Sequence, residues 1–548
     1  MTFKNYNSPQ LYRIGILTDS DTLQAWEWEC LNALIQQVNA ELVLEIRNLS
    51  PKPSGKKSPF LYRVYRALDR KIFKSEFDAF KRTPIDSLSQ SNFTQIQVKP
   101  IQTTYRDDFL KEDLEKIKAF KLDLILRFGF RILTGEILKI PRLGVWSFHH
   151  GDPSVYRGGP PAFWEVMLGW ETTGTVLQKL TEQLDQGEIL YQSYAQTNPL
   201  SVDRNANAIF WKSSCFVARI LSRINTLGEE AWLEELSESK RDQKPKVELK
   251  RPPETFEMIA LFWKLLRRNI NRKIQEIKKP AHWEIAVVNH SQSDAIQSSE
   301  IELLRQEDIS SNYLADPFPV FYQGKSYVFA EEFDQQTKKG RIVCLVPETE
   351  KQTILKPVIQ EAWHVSYPFI WEENGSYYLI PESAEAGKLF IYKGLDFPFQ
   401  WGMKEVFFDG EGYDPTLYVA NGKYWLFLNQ KPHPASSPFD ELNLYYSDSL
   451  HSSEWKAHPM NPIVSDVRCS RPAGKLFEKE GKLFRPAQDS GRRYGHRIAV
   501  REILEMTENS YEEQTAYFIE PELVPPALGV HTLNFCGDQM YLDFYFRK

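Results

Sequence analysis

The 548-residue chain is poor in cysteine: Cys30, Cys215, Cys344, Cys469 and Cys536 are far apart and odd in number, with no Cys-x-x-Cys pair. This excludes a disulfide framework and a zinc knuckle, and no metal is expected. Long apolar runs are also missing. Nothing approaches the roughly 18 residues of a membrane span, and the opening MTFKNYNSPQLYRIGILTDS lacks the apolar core of a secretion signal. The expectation is a reducing, cytoplasmic setting. There is no excess of positive charge. Net charge is −6 and the pI about 6.0, so no nucleic-acid partner is expected. No Gly-x-Gly-x-x-Gly follows the first predicted strand, which removes a dinucleotide fingerprint.

What is present implies at least two domains. YRIGILT, a helical stretch LQAWEWECLNALIQQV and AELVLEIRNL read as a β-α-β opening, the start of a doubly wound α/β sheet. LDLILRF and LGVWSFHH read as further strands. Residues 52–82 hold ten Lys or Arg against three acids, with apolar residues at roughly helical spacing. That pattern fits either a solvated helix on the domain edge or a surface for an anionic partner. Residues 237–282 read as a linker with an amphipathic basic helix at 254–276, which docks on its own protein or touches a membrane surface peripherally. The chain therefore divides into 1–236, a linker at 237–282, and 283–548.

The last segment has β texture and a weak repeat. DPFPVFYQGKSYVFAEE, SYPFIWEENGSYYLIPES, DPTLYVANGKYWLFLN, RPAGKLFEKEGKLFRPAQD and HTLNFCGDQMYLDFYF begin 50, 48, 57 and 60 residues apart. Each is an apolar strand, a Gly turn and an aromatic strand. Five such units fit an all-β five-bladed β-propeller, one four-stranded blade per unit; a β-sandwich of five hairpins is the alternative.

WSFHHGDPSVYRGGPP, residues 146–161, contains adjacent histidines. Strand alternation puts Ser147 and His149 on one face and His150 on the other. A residue at the carboxyl end of a parallel strand faces the ligand crevice. Asp185, on the turn LDQGEIL, is a carboxylate able to orient such a histidine.

The order of Gly129, Ile132, Leu133, His149, Tyr156, Arg157, Gly158, Pro161, Thr173, Gly174, Leu184, Asp185 and Gly187 resembles the 10-formyltetrahydrofolate-dependent formyltransferases. The resemblance implies that His149 is catalytic and Asp185 its partner. It implies attack of an amine on the formyl carbon of 10-formyltetrahydrofolate. The folate would lie by Phe128, Gly129, Ile132 and Leu133, with Arg157 and Gly158 facing substrate. The family's Asn is Ser147 here, which puts an oxyanion donor in question.

The repeat region, through ADPFPVFYQGKSYVFAEEFD, HVSYPFIWEENGSYYLIPES, HPMNPIV, SRPAGKLF and LFRPAQD, is similar to the amino-terminal propeller of glucosamine inositolphosphorylceramide transferases. It is more distantly similar to glycosyl hydrolase family 43. That family's acidic residues point to Asp316, Glu382 and Asp414. Arg471, Arg485 and His531 would make the pocket partly cationic and suited to a sugar phosphate. Structural turns, sugar binding and glycosidic hydrolysis are the three readings of these residues. Together the halves imply N-formylation of an amino sugar, nucleotide-, lipid- or glycan-linked, in surface polysaccharide biosynthesis. The rival is a non-catalytic binding protein with a degenerate formyltransferase domain.

Overall fold

The computed structural model describes residues 11–50, 58–88, 93–103, 105–182, 187–238, 247–278, 281–289, 301–304, 312–349, 352–452 and 454–547. The chain forms two compact units. The first is Met1–Asn269 with Pro432–Ser436; the second is Ile270–Lys431 with Ser437–Lys548.

In the first unit β1 (Tyr12–Thr18), β2 (Ala40–Asn48), β3 (Thr94–Val98), β4 (Leu124–Arg127) and β5 (Val145–His149) are mutually parallel. They are followed by β6 (Thr172–Lys179) and β7 (Glu188–Gln196), and the sheet order is β7-β6-β5-β4-β1-β2-β3. The inner strands are apolar because both faces are covered. β5–β6 and β6–β7 are antiparallel, so the doubly wound sheet ends in a hairpin edge. The short connection between β6 and β7 leaves no room for a crossover helix.

Helices α1 (Ala25–Gln37), α2 (Phe60–Ile72), α3 (Lys111–Lys118), α4 (Phe163–Leu168), α5 (Val202–Ser213), α6 (Phe216–Leu227), α7 (Glu229–Glu238) and α8 (Thr255–Lys278) complete the unit or, for α8, run out of it. α5 starts where the Ser201 hydroxyl accepts from the backbone N–H of Arg204 at 3.2 Å. One core lies between the sheet and α1 and α6, with Ile14, Ile16, Leu31, Leu34, Phe216 and Leu221. β1 leads to β2 and β3 on one side, while β4 and β5 lie on the other. The switch point thus falls between the carboxyl ends of β1 and β4.

The second unit is five antiparallel sheets, a five-bladed β-propeller fold. Strands at 312–359, 366–408, 413–457 and 471–519 supply four blades, each bordering the next. The fifth combines 529–547 with 281–303, because Ala281–Asn289 pairs antiparallel with Gln539–Arg547. It borders both its neighbours. The fifth repeat unit therefore supplies only half a blade, and the other half comes from the beginning of the unit.

Candidate functional site

The carboxyl ends of β1, β4 and β5 form the crevice of the first unit. Phe128 and Gly129 donate backbone N–H groups to Leu17 O, at 3.0 and 2.8 Å, and Phe130 N–H donates to Asp19 Oδ1 at 2.9 Å. This folds the segment after β4 over the end of β1. A Cβ on Gly129 would lie 2.6 Å from Asp19 N, so only glycine lets the two backbones meet there. Phe128 and Ile132 are half-buried at this crevice, and Leu133 is buried.

The two histidines separate as strand alternation requires. His149 is half-buried at the last position of β5. His150 turns the other way, stacked on Phe210 with ring centroids 3.5 Å apart and bonded through Nε2 to Ser213 Oγ at 3.0 Å. Burial pushes His150 well below the ordinary histidine value, so it is a neutral core residue. Ser147 is buried, and its Oγ accepts from Arg127 Nε at 3.0 Å. Arg127 also donates from Nη1 to Arg131 O at 2.7 Å. Ser147 thus spends a lone pair on a guanidinium, leaving its own proton to give.

Beside His149 stands a carboxyl group that the motif does not name. A Cβ on Gly151 would come within 2.9 Å of Tyr156 Oη and 3.2 Å of His149 Nε2, so these two groups converge where residue 151 has no side chain. Tyr156 donates to Glu165 Oε1 at 2.7 Å. Burial pushes Glu165 up to about 7, against the lowering effect of its backbone and Tyr156 hydrogen bonds. A buried carboxyl near neutrality is suited to hold or pass a proton. Asp185, the expected partner of His149, lies outside the described residues. Arg157 and Gly158 sit in a short strand paired in parallel with Glu248–Lys250. Arg157 Nη2 reaches Val247 O at 3.5 Å, and Gly158 has φ +83 with its Cα against Lys250 O, so both contribute to that pairing.

The second unit has its own cluster on the first strands of the blades. Asp316, Tyr367 and Asp414 have φ of 54, 44 and 49° at register shifts in three successive blades. Each is a β-bulge that re-aims one side chain, at a cost in backbone strain. Asp316 Oδ1 accepts from Thr532 Oγ1 at 2.7 Å and Oδ2 from Tyr367 N–H at 3.2 Å. His531 Nδ1 lies 2.7 Å from Asp543 Oδ1 and its Nε2 lies 3.6 Å from Asp316 Oδ1. Burial, opposed by His531 and reinforced by Asp543, pushes Asp316 up to about 6. His531 is raised, because Asp543 and Asp316 outweigh its burial.

Asp414 and Glu382 converge on Arg471. Its Nε donates to Asp414 Oδ2 at 2.5 Å, and Nη2 donates to Asp414 Oδ1 at 3.1 Å and Glu382 Oε2 at 3.0 Å. Glu331, also buried, is held well above the carboxylate range by desolvation. The cluster therefore sets Asp316, Glu331, Glu382, Asp414 and Asp543 against Arg471 and His531, and is acidic where a partly cationic pocket was expected. Arg485 is elsewhere. It is 1% exposed and pairs with Glu513 at 2.7 and 2.9 Å and with Cys469 O at 2.7 Å.

Two family models match the chain. The formyl transferase model matches residues 79–205. The model described as glucosamine inositolphosphorylceramide transferase 1, N-terminal, matches residues 295–522. The chain thus carries a formyltransferase-like α/β domain and a propeller that is similar to the second of these models. Among individual relatives, glucosamine inositolphosphorylceramide transferase 1 of Arabidopsis thaliana is 34% identical over 211 residues, 37% of this chain and 27% of that protein. The match to its Oryza sativa subsp. japonica counterpart covers 28% of that protein, so the chain spans little more than a quarter of the first curated relatives it matches. Methionyl-tRNA formyltransferase of Prochlorococcus marinus is 29% identical over 140 residues, 25% of this chain and 40% of that protein. A solved β-1,3-galactosidase of glycoside hydrolase family 43 aligns at 11% identity and TM-score 0.31, covering 41% of this chain and 85% of that one. No helix among the described residues is long and apolar enough to cross a membrane.

Proposed function

We propose that the first unit transfers a formyl group from 10-formyltetrahydrofolate to the amine of an amino sugar. The sugar would be nucleotide-, lipid- or glycan-linked and destined for surface polysaccharide. The observation that carries this reading is His149, half-buried at the carboxyl end of β5 beside the switch point, within the residues matched by the formyl transferase model. The amine nitrogen attacks the formyl carbon, the bond from that carbon to the folate nitrogen breaks, and tetrahydrofolate leaves. His149 relays the proton lost by the amine to the departing folate nitrogen, and the Tyr156–Glu165 pair beside it holds one. The Ser147 hydroxyl, fixed by Arg127, offers the remaining oxyanion donor. The propeller, with its similarity to a sugar-lipid transferase segment, would present the sugar.

Incubation with 10-formyltetrahydrofolate and a panel of amino-sugar nucleotides tests this. Tetrahydrofolate release that His149→Asn abolishes is expected. No His149-dependent release with any acceptor defeats it.

One observation favours a second reading. Ser147 stands where the resembled family has Asn, and its oxygen is engaged by Arg127. A degenerate domain that binds without transferring would show folate binding with no turnover, or no folate binding at all. A glycosidase is disfavoured, because Arg471 ties up Asp414 and Glu382, two of the three carboxyl groups such an enzyme would use.

A further inference from the structure

Two helices of the first unit carry apolar rows that face solvent. On α2, Phe60 (65% exposed), Val64, Leu68 and Ile72 (68%) recur every four residues, which places them in one stripe along the outer side. The inner side is occupied separately. Leu61, Tyr62 and Tyr65 pack in a core with Phe163, Met258 and Leu261, and Asp69 Oδ2 accepts the backbone N–H of Asp203 at 2.8 Å.

The start of α8 is built in the same way. Met258, Leu261 and Leu265 point into that core, while Phe256 (87% exposed), Ile259 and Trp263 (62%) lie on the opposite side. The Tyr65 and Phe262 rings meet edge-on at 6.5 Å, which brings the two helices together.

A helix on the surface of a globular domain ordinarily turns its polar side outward. Here both outer sides are apolar and framed by cations. Arg63, Lys71 and Lys74 flank the α2 stripe, and Lys264 and Arg267 flank that of α8, all exposed. The exposed acids of the two segments are fewer: Glu76, Glu254 and Glu257. Bulky apolar side chains including a tryptophan, ringed by Lys and Arg, match the headgroup zone of a bilayer that contains anionic lipid.

We propose that α2 and the first half of α8 seat this protein peripherally on an anionic membrane surface. A second copy of the chain suits the face less well, since a two-fold interface would bring the same cations together. The proposal is independent of the reading of the His149 crevice.

Co-sedimentation of the full chain with vesicles tests it. The chain is expected to sediment with phosphatidylcholine–phosphatidylserine vesicles at low salt, to be released as salt rises, and to leave pure phosphatidylcholine vesicles largely unbound. Phe60→Ser with Trp263→Ser, both at exposed positions, should weaken binding at least about tenfold without moving the melting temperature. Each of Lys71→Gln and Lys264→Gln should weaken it roughly fivefold. Failure of the native chain to bind mixed vesicles at low salt overturns the proposal. So does binding that survives the double serine variant. A dimer in buffer that the same variant dissociates, without vesicle binding, assigns the face to a second copy instead.

Discussion

Arg471→Met removes a guanidinium that is 7% exposed and holds two carboxyl groups, Asp414 at 2% and Glu382 at 6% exposure. At about 3 Å, with the effective dielectric constant of about 20 that suits buried sites, the Arg471–Asp414 ion pair is worth roughly 5 kcal/mol before desolvation is counted. Desolvation offsets much of that in the intact cluster. It does not offset the loss of one partner, because Asp414 stays buried without its cation and Glu382 without its donor. Removing one member of such a group costs about 3–5 kcal/mol. For a domain of this size that is a fall in melting temperature of roughly 6–20 °C, measured by scanning calorimetry on the propeller transition.

The loss also has a direction in pH. Burial holds Glu382 well above the carboxylate range even with Arg471 present, and without Arg471 it rises further. A carboxyl whose folded pKa exceeds its unfolded value of about 4.3 keeps its proton in the fold after the unfolded chain has lost it. Stability therefore falls as pH rises from about 4 to the folded pKa. Both chains share that fall up to the folded value set with Arg471 present, so the defect of Arg471→Met should be steady at mildly acidic pH and grow only above that value, and Glu382→Gln in the same chain should remove the growth. A loss below about 1 kcal/mol, the range of exposed ion pairs, or a defect that shrinks toward alkaline pH, refutes the reasoning.

In the first unit acid works through groups of opposite sign. Glu27 and Glu165, each pushed up to about 7 by burial, keep their protons in the fold and add stability as pH falls from about 7, while His150, held well below its ordinary value by burial, subtracts from that gain below the unfolded value of about 6.5. Asp316 at about 6 and the raised His531 are protonated preferentially in the fold, so the second unit gains about 1–3 kcal/mol as pH falls from about 8 to 5. Hydrogen exchange resolved by unit and corrected for intrinsic rates checks this, and protection of the second unit that falls between about pH 8 and about 5 refutes it. His150→Phe keeps the stack on Phe210, should cost about 1 kcal/mol at neutral pH, and should leave the first unit gaining more stability on acidification than the native chain does. Ser147→Ala removes the acceptor of Arg127 Nε and a donor to the reacting carbonyl. Tetrahydrofolate release should slow on the order of 10²-fold with KM for the amine little changed, and an unaltered rate places the oxyanion donor elsewhere.

Much of the fold is legible because burial on both faces writes itself as apolar runs. YRIGILT and LILR are examples, and both are inner parallel strands. The same rule hides the edge. TTGTVLQK reads equally well in either direction, and only its pairing with β7 shows that it is antiparallel. The fifth blade is invisible for a different reason. AHWEIAVVN pairs with QMYLDFYFR, and a partner some 250 residues away leaves no local signal. At the site, alternation alone separated His149 from His150. Nothing local marks Glu165, which reads as an ordinary helical acid in FWEVML until Tyr156 Oη is placed against it. Asp-Pro at 316 and at 414 reads as turn chemistry, and the bulge that turns each carboxyl into the cluster appears only with φ.

Buried charge is used differently in the two units, and that difference apportions the proposed roles. In the propeller, the carboxyl groups nearest the blade starts are engaged: Asp414 and Glu382 by Arg471, and Asp316 by Thr532, Tyr367 and His531. A group that must accept or release a proton in each turnover is ill served by such partners, since each bond broken costs what the fold gains from it. A network of this kind holds a surface rigid for recognition. In the first unit Glu165 stands near neutrality under a hydrogen bond from Tyr156, and His149 sits half-buried at a strand end with its Nε2 buried beside Gly151 and Tyr156 Oη. Proton traffic at neutral pH needs groups in that condition. These conditions support the division of roles proposed above, with transfer at the His149 crevice and sugar recognition at the propeller.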